Sequence, residues 1–168
     1  MDILLIRHAI AEDRDAFAKV NDNDALRPLT DEGRRKMRKV ASRLRRLVKR
    51  LDRIACSGLS RADETAAIVG KSYGRTPVVK LRALEPGGEP QAVLDWLDEF
   101  PRDSTIALVG HEPDLGRLLG YMVCGRPMRV LGFKKGGAAL LHYDAGPAPA
   151  QGMLRWALTP AQFLSLKE

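Results

Sequence analysis

Four side chains that could bind or attack an anion follow three apolar runs of the sequence. Arg7 and His8 end the first run, Arg61 comes shortly after the second, and His111 lies two residues after the third. If these runs are strands of one parallel sheet, their carboxyl ends meet at a single edge, where such sheets bind ligands. Guanidinium groups pair with phosphate oxygens through two hydrogen bonds and stay charged at any relevant pH. The set therefore predicts an anion site that contains an imidazole as nucleophile or base.

Phosphoryl transfer is the reaction that such a set of side chains fits. The transferred group spreads negative charge over its equatorial oxygens, so catalysis depends on positioning and electrostatic stabilisation. Neighbouring cations lower the pKa of an imidazole, which keeps a lone pair free to attack phosphorus. The sequence has no carboxylate cluster and no Cys/His spacing typical of a metal site. We therefore expect no metal ion or other cofactor, with the arginines stabilising the charge instead.

Strands that alternate with helices must position these residues. The predicted strands are Asp2–Arg7, Arg53–Cys56, Val78–Leu81 and Thr105–Val109, and the predicted helices are Thr30–Leu51, Ser60–Tyr73, Pro90–Phe100 and Pro113–Cys124. Near the C-terminus, Ala138–Tyr143 and Met153–Leu158 flank a segment rich in Gly, Pro and Ala, which predicts an antiparallel hairpin at the sheet edge. The pattern predicts an α/β fold, a three-layer sandwich whose mainly parallel central sheet is flanked by helices.

Length and composition indicate a single folded domain over residues 1–168. Hydrophobic residues make up 45% of the chain and charged residues 29%, which is ordinary for a soluble protein and excludes a disordered one. No apolar stretch approaches the ~20 residues that a transmembrane helix needs, and no signal-peptide pattern begins the chain. The two cysteines, Cys56 and Cys124, are too few for a disulfide framework. We expect a cytoplasmic protein that does not bind a membrane.

The formal net charge of +7 is concentrated in one segment. Residues 34–53 contain eleven Lys or Arg and a single acid, Asp52, and their apolar residues recur at steps of three and four. Such spacing predicts an amphipathic helix with basic outer faces. These faces are either simply solvated or a docking surface for an acidic partner. No aromatic residue lies in the segment to stack on bases, which argues against nucleic-acid binding.

Four segments resemble, in order, the motifs of the histidine phosphatase (phosphoglycerate mutase-like) superfamily. Residues 5–11 resemble its RH signature, residues 27–33 its R-x-L-T-x-x-G segment, residues 57–66 its S-x-L-x-R-A-x-x-T-A segment, and residues 109–113 its V-x-H-x-P segment. The chain lacks the additional insertions of the mutases. It is therefore more similar to the short phosphohistidine phosphatases of the SixA type.

The resemblance assigns roles to individual residues. It implies that His8 is the nucleophile that becomes phosphorylated, and that Arg7, Arg61 and His111 form the rest of the phosphate pocket. Ser57 and Arg27, which lie in the matched motifs, are assigned to substrate binding on the same basis.

One role stays open between two residues that follow the third predicted strand. Ester phosphatases and mutases of the superfamily use a carboxylic acid to protonate the leaving oxygen, and the candidates here are Glu85 and Glu89. Glu85 lies nearer the strand end and is the first choice. The alternative for either residue is a loop carboxylate that caps the helix at Pro90.

Three functions are compatible with these residues. The first is a phosphatase acting on phosphohistidine in a signalling protein, and the second is a phosphatase or mutase acting on a small phosphorylated metabolite. The third is a non-enzymatic module that binds anions or proteins. The presence of the complete set of Arg7, His8, Arg61 and His111 argues against this third function. The short chain favours the first function, whereas an acid at Glu85 would favour the second. Phosphate, sulfate and vanadate are expected to bind at the same place.

Overall fold

A computed structural model describes residues 1–166 and contains one six-stranded sheet with the strand order β3-β2-β4-β1-β5-β6. The first four strands along the chain are parallel to one another, and β5 and β6 form an antiparallel hairpin at one edge. The α/β fold with a mainly parallel sheet and a C-terminal edge hairpin is thereby confirmed. The strands are β1 (Asp2–Arg7), β2 (Arg53–Cys56), β3 (Val78–Lys80), β4 (Thr105–Gly110), β5 (Ala138–His142) and β6 (Met153–Leu158).

Helices cover both faces of the sheet. They are α1 (Arg14–Ala18), α2 (Asp31–Leu47), α3 (Ser60–Ser72), α4 (Pro90–Asp98), α5 (Asp114–Cys124) and α6 (Pro160–Ser165), with single 3₁₀ turns at Asp24–Leu26 and Arg82–Leu84. Side chains alternate along β1, so Leu4 and Ile6 pack with α2, α3 and α6, whereas Ile3 and Leu5 pack with α4 and α5. The two hydrophobic layers hold the central strands rigidly, and the carboxyl ends of those strands are fixed with them.

The basic helix is amphipathic as expected, but it ends at Leu47 rather than at Leu51. Its inner face buries Met37, Val40 and Leu44. The helix ends early because the backbone must turn into β2, and the Asp52 backbone N–H already donates to the Thr105 carbonyl of β4. The four residues after the helix therefore form an extended link.

Helix α6 has no counterpart among the predicted elements. It is short, with only six residues, of which Pro160 and Phe163 are buried, and Phe163 packs against Trp156. A local signal was nevertheless present, since Thr159 and Gln162 form a capping box around Pro160. Within residues 1–166, no helix is both long and apolar enough to cross a lipid bilayer.

Candidate active site

The two site histidines meet where β1 and β4 end side by side. Arg7 pairs with Gly110 in the parallel register, so the next residue of the first strand, His8, comes close to His111. The two ring centroids are 5.1 Å apart, and the side chains are buried, at 6% and 4% exposure. Arg61, at the start of α3, is equally buried at 4%. The structure thus brings both histidines and Arg61 together, as the sequence predicts.

The loop after His8 is held against the start of α2. The Ile10 carbonyl accepts a hydrogen bond from the Thr30 backbone N–H at 3.0 Å, and the Thr30 hydroxyl caps the helix by accepting from Gly33 N–H at 2.9 Å. Any side chain at Gly33 would clash with the Ile10 carbonyl. On the other side, Ala9 N–H donates to the Thr65 hydroxyl of α3 at 3.0 Å. The motif residues around His8 therefore fix the backbone that carries the imidazole.

The hydrogen bonding of His8 defines which ring nitrogen can react. Nδ1 lies 2.8 Å from the Ala9 carbonyl oxygen, which can only accept, so Nδ1 carries the proton and Nε2 has the free lone pair. Burial lowers the pKa of His8 to about 3, helped by His111, Arg61 and Arg7 and opposed by the bond to Ala9. His8 is consequently a neutral imidazole at physiological pH, as a nucleophile toward phosphorus must be.

His111 is paired with Ser57. Its Nε2 lies 2.6 Å from the Ser57 hydroxyl, and Ser57 is itself buried at the end of β2. Burial, followed by Arg61 and Arg7, lowers the pKa of His111 to about 4. The sequence assigns Ser57 to the site, and the structure joins it to the second histidine.

In each of the two central arginines, Nη1 donates a hydrogen bond to a backbone carbonyl, whereas Nε has no hydrogen-bond partner among the described residues. Arg7 Nη1 donates to the Phe133 carbonyl at 2.6 Å, and Arg61 Nη1 donates to the Asp24 carbonyl at 2.9 Å. Among the described residues, Nε of Arg7 and Nε of Arg61 are buried without a hydrogen-bond partner. Both guanidinium charges act on the neutral imidazole of His8, and two such cations can stabilise an oxyanion bound beside it.

Arg27 joins the site through Asp24, a residue that the sequence analysis missed. Arg27 Nε donates to Asp24 Oδ1 at 2.7 Å, while the other oxygen, Oδ2, lies 3.1 Å from Arg61 Nη2. Burial alone would raise the pKa of the Asp24 carboxyl, but Arg27, Arg61 and Arg14 hold it below its usual range. The available signal was the spacing of three between Asp24 and Arg27, which places both on one side of a helical turn.

The two candidate acids lie apart from this network of contacts. Glu85 ends the 3₁₀ turn after β3 and is exposed, and within residues 1–166 its carboxylate has no hydrogen-bond or ion-pair partner. Glu89 occupies the N-cap position of α4 but makes no capping hydrogen bond. No group of three or more His, Cys, Asp or Glu side chains that could hold a metal ion occurs in the part of the chain that the structure describes.

Comparisons with known proteins agree with the fold and the motifs. The family model of the histidine phosphatase superfamily (branch 1) matches residues 3–85. An uncharacterized protein of the cyanobacterium Picosynechococcus sp. (strain PCC 7002) is 37% identical over 148 residues, which cover 86% of this chain and 87% of that protein. The residues that the family model matches include the segments that carry Arg7, His8 and Arg61.

Solved structures share the architecture over nearly the whole chain. The protein histidine phosphatase SixA complexed with tungstate superimposes with a TM-score of 0.81 at 23% identity, covering 96% of this chain and 98% of that one. A putative α-ribazole-5′-phosphate phosphatase from Escherichia coli gives a TM-score of 0.72 at 20% identity, covering 96% and 98%. At these identities the likeness shows a shared fold.

Proposed function

Since this chain belongs to the histidine phosphatase superfamily and is a hydrolase of the phosphatase type, we propose that it works through a phosphohistidine intermediate on His8 without a metal ion. The observation that carries the proposal is the state of His8, a buried neutral imidazole with its Nε2 lone pair free. Arg7 and Arg61 supply positive charge beside it, as a bound metal ion would in other phosphatases.

The proposed reaction has two displacements at phosphorus. His8 Nε2 attacks, a P–N bond forms, and the bond from phosphorus to the leaving group breaks while the leaving group takes up a proton. Water then attacks the phosphohistidine, the P–N bond breaks, and inorganic phosphate and neutral His8 are released. In both steps, the guanidinium groups of Arg7 and Arg61 stabilise the charge on the equatorial oxygens.

For the substrate, we propose a phosphohistidine carried by a protein. The structural similarity to SixA, described as a protein histidine phosphatase, supports this choice. The exposed and unpaired Glu85 supports it as well, because an imidazole leaves with a proton that solvent can supply. A reaction that needed a strong general acid would require a carboxylic acid held in place.

A small phosphate ester is the second candidate substrate. The similarity to the α-ribazole-5′-phosphate phosphatase favours it, as does the presence of a carboxylate in the loop after β3. An alkoxide is a poor leaving group and needs a proton from an acid, and Glu85 is the carboxylate placed there to supply it.

Parallel kinetics on the two substrate classes test the proposal. We expect kcat/KM on a phosphohistidine-bearing protein domain to exceed that on p-nitrophenyl phosphate by at least about 100-fold, a difference of ~2.7 kcal/mol in transition-state stabilisation. Brief incubation with ³²P-labelled substrate followed by denaturation should trap acid-labile, base-stable phosphate on the protein. Efficient turnover of a sugar phosphate or phosphoglycerate would contradict the substrate class, and failure to trap phosphate on His8 would contradict the mechanism.

A further inference from the structure

A buried carboxylate that the proposed reaction does not use lies next to the site, on Glu112. The side chain is 7% exposed and follows His111 directly, yet no ion pair joins it to Arg7 among the described residues. Its Oε1 accepts a hydrogen bond from the Phe133 backbone N–H at 3.2 Å, and its Oε2 lies 3.3 Å from Arg129 Nε. A carboxylate so close to a phosphate pocket is costly unless it has a role, because it repels the substrate.

The contact with Phe133 connects Glu112 to Arg7. Phe133 uses its N–H toward Glu112 and its carbonyl toward Arg7 Nη1, so the backbone of one residue links the carboxylate to the guanidinium. The Phe133 side chain is buried in the hydrophobic layer beneath α5, which fixes the residue from a third direction. The carbonyl that orients Arg7 is thus held by Glu112 and by packing.

The segment that carries Phe133 depends on these anchors because it has little structure of its own. Residues 126–135 form no helix or strand and are mostly exposed. They cross α5 at Gly116, where a Cβ atom would lie 2.5 Å from the Leu131 carbonyl oxygen and 2.9 Å from Arg129 Cγ. The close crossing brings Arg129 near Glu112, and Glu112 therefore contacts the segment at two residues, Arg129 and Phe133.

Arg129 explains why Glu112 does not pair with Arg7 itself. Burial lowers the pKa of Arg7, whereas the charge of Glu112 raises it and that of Arg129 lowers it, so both charges act on the Arg7 guanidinium. With one oxygen facing Arg129 and the other bonded to Phe133, the carboxylate is kept from the free Nε edge of Arg7. No direct ion pair with Glu112 therefore neutralises the Arg7 guanidinium among the described residues.

We propose that Glu112 is a positioning residue for Arg7: it fixes Phe133, whose carbonyl aims the guanidinium at the phosphate, while Arg129 offsets its charge. The inference rests on the proposed function, because it gives Arg7 the task of binding the transferred phosphoryl group. A misplaced donor loses much of its effect, so removing Glu112 should weaken oxyanion binding and catalysis together.

Vanadate binding, measured by calorimetry, tests the positioning role independently of turnover. We expect Glu112→Ala to raise the vanadate Kd and to lower kcat/KM, each by about tenfold. Glu112→Gln keeps an oxygen that can accept from the Phe133 N–H, so it should retain most of the wild-type vanadate affinity and kcat/KM. In an Arg7→Lys background no guanidinium group remains to be oriented. Adding Glu112→Ala to Arg7→Lys should therefore change the vanadate Kd and kcat/KM by less than about twofold. Met128→Ala shortens an exposed side chain of the same segment and serves as the control, with vanadate Kd and kcat/KM expected within about twofold of the wild type.

Arg129→Ala provides a second test at a side chain that is 60% exposed, where a substitution should leave the fold intact. It frees Glu112 to compete for Arg7, and we expect the vanadate Kd to rise several-fold at low salt and to return when Glu112→Gln is added. Wild-type vanadate affinity in Glu112→Ala, an equal loss in the Arg7→Lys background, or a Glu112→Gln variant as impaired as Glu112→Ala would overturn the inference. A wild-type protein that binds no vanadate would instead contradict the proposed function.

Discussion

The phosphate side and the leaving-group side of the site are built differently. On the phosphate side, His8, Arg61 and His111 are almost completely buried, and each is held by a hydrogen bond to a neighbouring strand end or loop. On the proposed leaving-group side, Glu85 and Glu89 are exposed in the loop after the edge strand β3, and neither carboxylate has a partner among the described residues. In the proposed mechanism, chemistry at phosphorus therefore depends on buried side chains at the sheet edge, whereas protonation of the leaving group depends on surface carboxylates.

This difference has a consequence for mutations. Substitutions on the phosphate side should slow all substrates alike, because every substrate presents the same phosphoryl group. Substitutions on the leaving-group side should discriminate between substrates, because only there do they differ.

The largest effect is expected at His8. His8→Ala removes the nucleophile, and we expect kcat/KM to fall by at least about 10⁴-fold on phosphohistidine and on p-nitrophenyl phosphate alike. Trapped ³²P should disappear, while circular dichroism should show an unchanged fold. If His8→Ala kept its activity on one of the two substrates, the phosphate side would not serve both substrates alike, and the comparison would be contradicted.

Loss of one arginine should have a smaller effect of the same kind. Arg61→Ala removes a preorganised donor, and we expect about a hundredfold loss of kcat/KM that is equal on both substrates. Arg102→Ala, which breaks an exposed ion pair with Asp98 far along the chain, should stay within about twofold of the wild type. Steady-state kinetics would show whether Arg61→Ala lowers kcat/KM equally on both substrates. A loss confined to the ester would contradict this prediction.

The two sides also differ in how far they could be predicted. Arg7, His8, Arg61 and His111 could be placed together because parallel strands bring their carboxyl ends to one edge. The partners of the two arginines could not, since Asp24 begins a single 3₁₀ turn and Phe133 lies in an irregular segment, and the positions of both depend on tertiary contacts. In the same way the strands and the hairpin follow from apolar patterning, whereas the early end of α2 follows from the hydrogen bond of Asp52, just before β2, to β4. The role of Glu85 stays a prediction, because an exposed loop carboxylate leaves no local signature.

A change of pH should leave the two site histidines neutral over the usual working range. The pKa values of His8 and His111 are lowered to about 3 and about 4, so between pH 8 and pH 5 neither ring should take up a proton. We expect their imidazole carbon–hydrogen NMR signals, assigned with His8→Asn and His111→Asn, not to shift over that range. A midpoint near the ordinary value of ~6.5 for either ring would contradict the burial that keeps His8 nucleophilic.

The same pKa values affect stability in a defined direction. An unfolded histidine binds its proton near pH 6.5, whereas the folded ones do so only near 3 and 4. Between these values the unfolded state binds more protons, so the free energy of unfolding should decrease as the pH falls from about 6.5 toward 4. Urea denaturation at pH 7 and pH 5 measures this, and the decrease should be smaller in His8→Asn.

The most selective prediction concerns Glu85, where a substitution should affect one class of substrate and not the other. Glu85→Gln keeps the shape of the side chain and removes its titratable proton. If Glu85 is the acid for oxygen leaving groups, hydrolysis of an alkyl phosphate should slow by about 100-fold, the usual contribution of a general acid. Hydrolysis of a phosphohistidine should change by less than about threefold, because the leaving imidazole can take its proton from solvent. Glu89→Gln, at the neighbouring exposed acid, is the matched control and should affect neither substrate.

The outcome distinguishes two roles for Glu85 in the loop after β3. A loss confined to the alkyl phosphate identifies Glu85 as an acid that the phosphohistidine reaction does not need, which sharpens the contrast between the two sides. Equal losses on both substrates would mean that Glu85 holds the loop or the phosphate, and the contrast would fail. If an ester were the natural substrate, the wild-type protein should already hydrolyse small alkyl phosphates with kcat/KM of roughly 10⁴ M⁻¹s⁻¹ or more. We expect a lower value, because a carboxylate without a hydrogen-bond partner is not held where a leaving oxygen would need it.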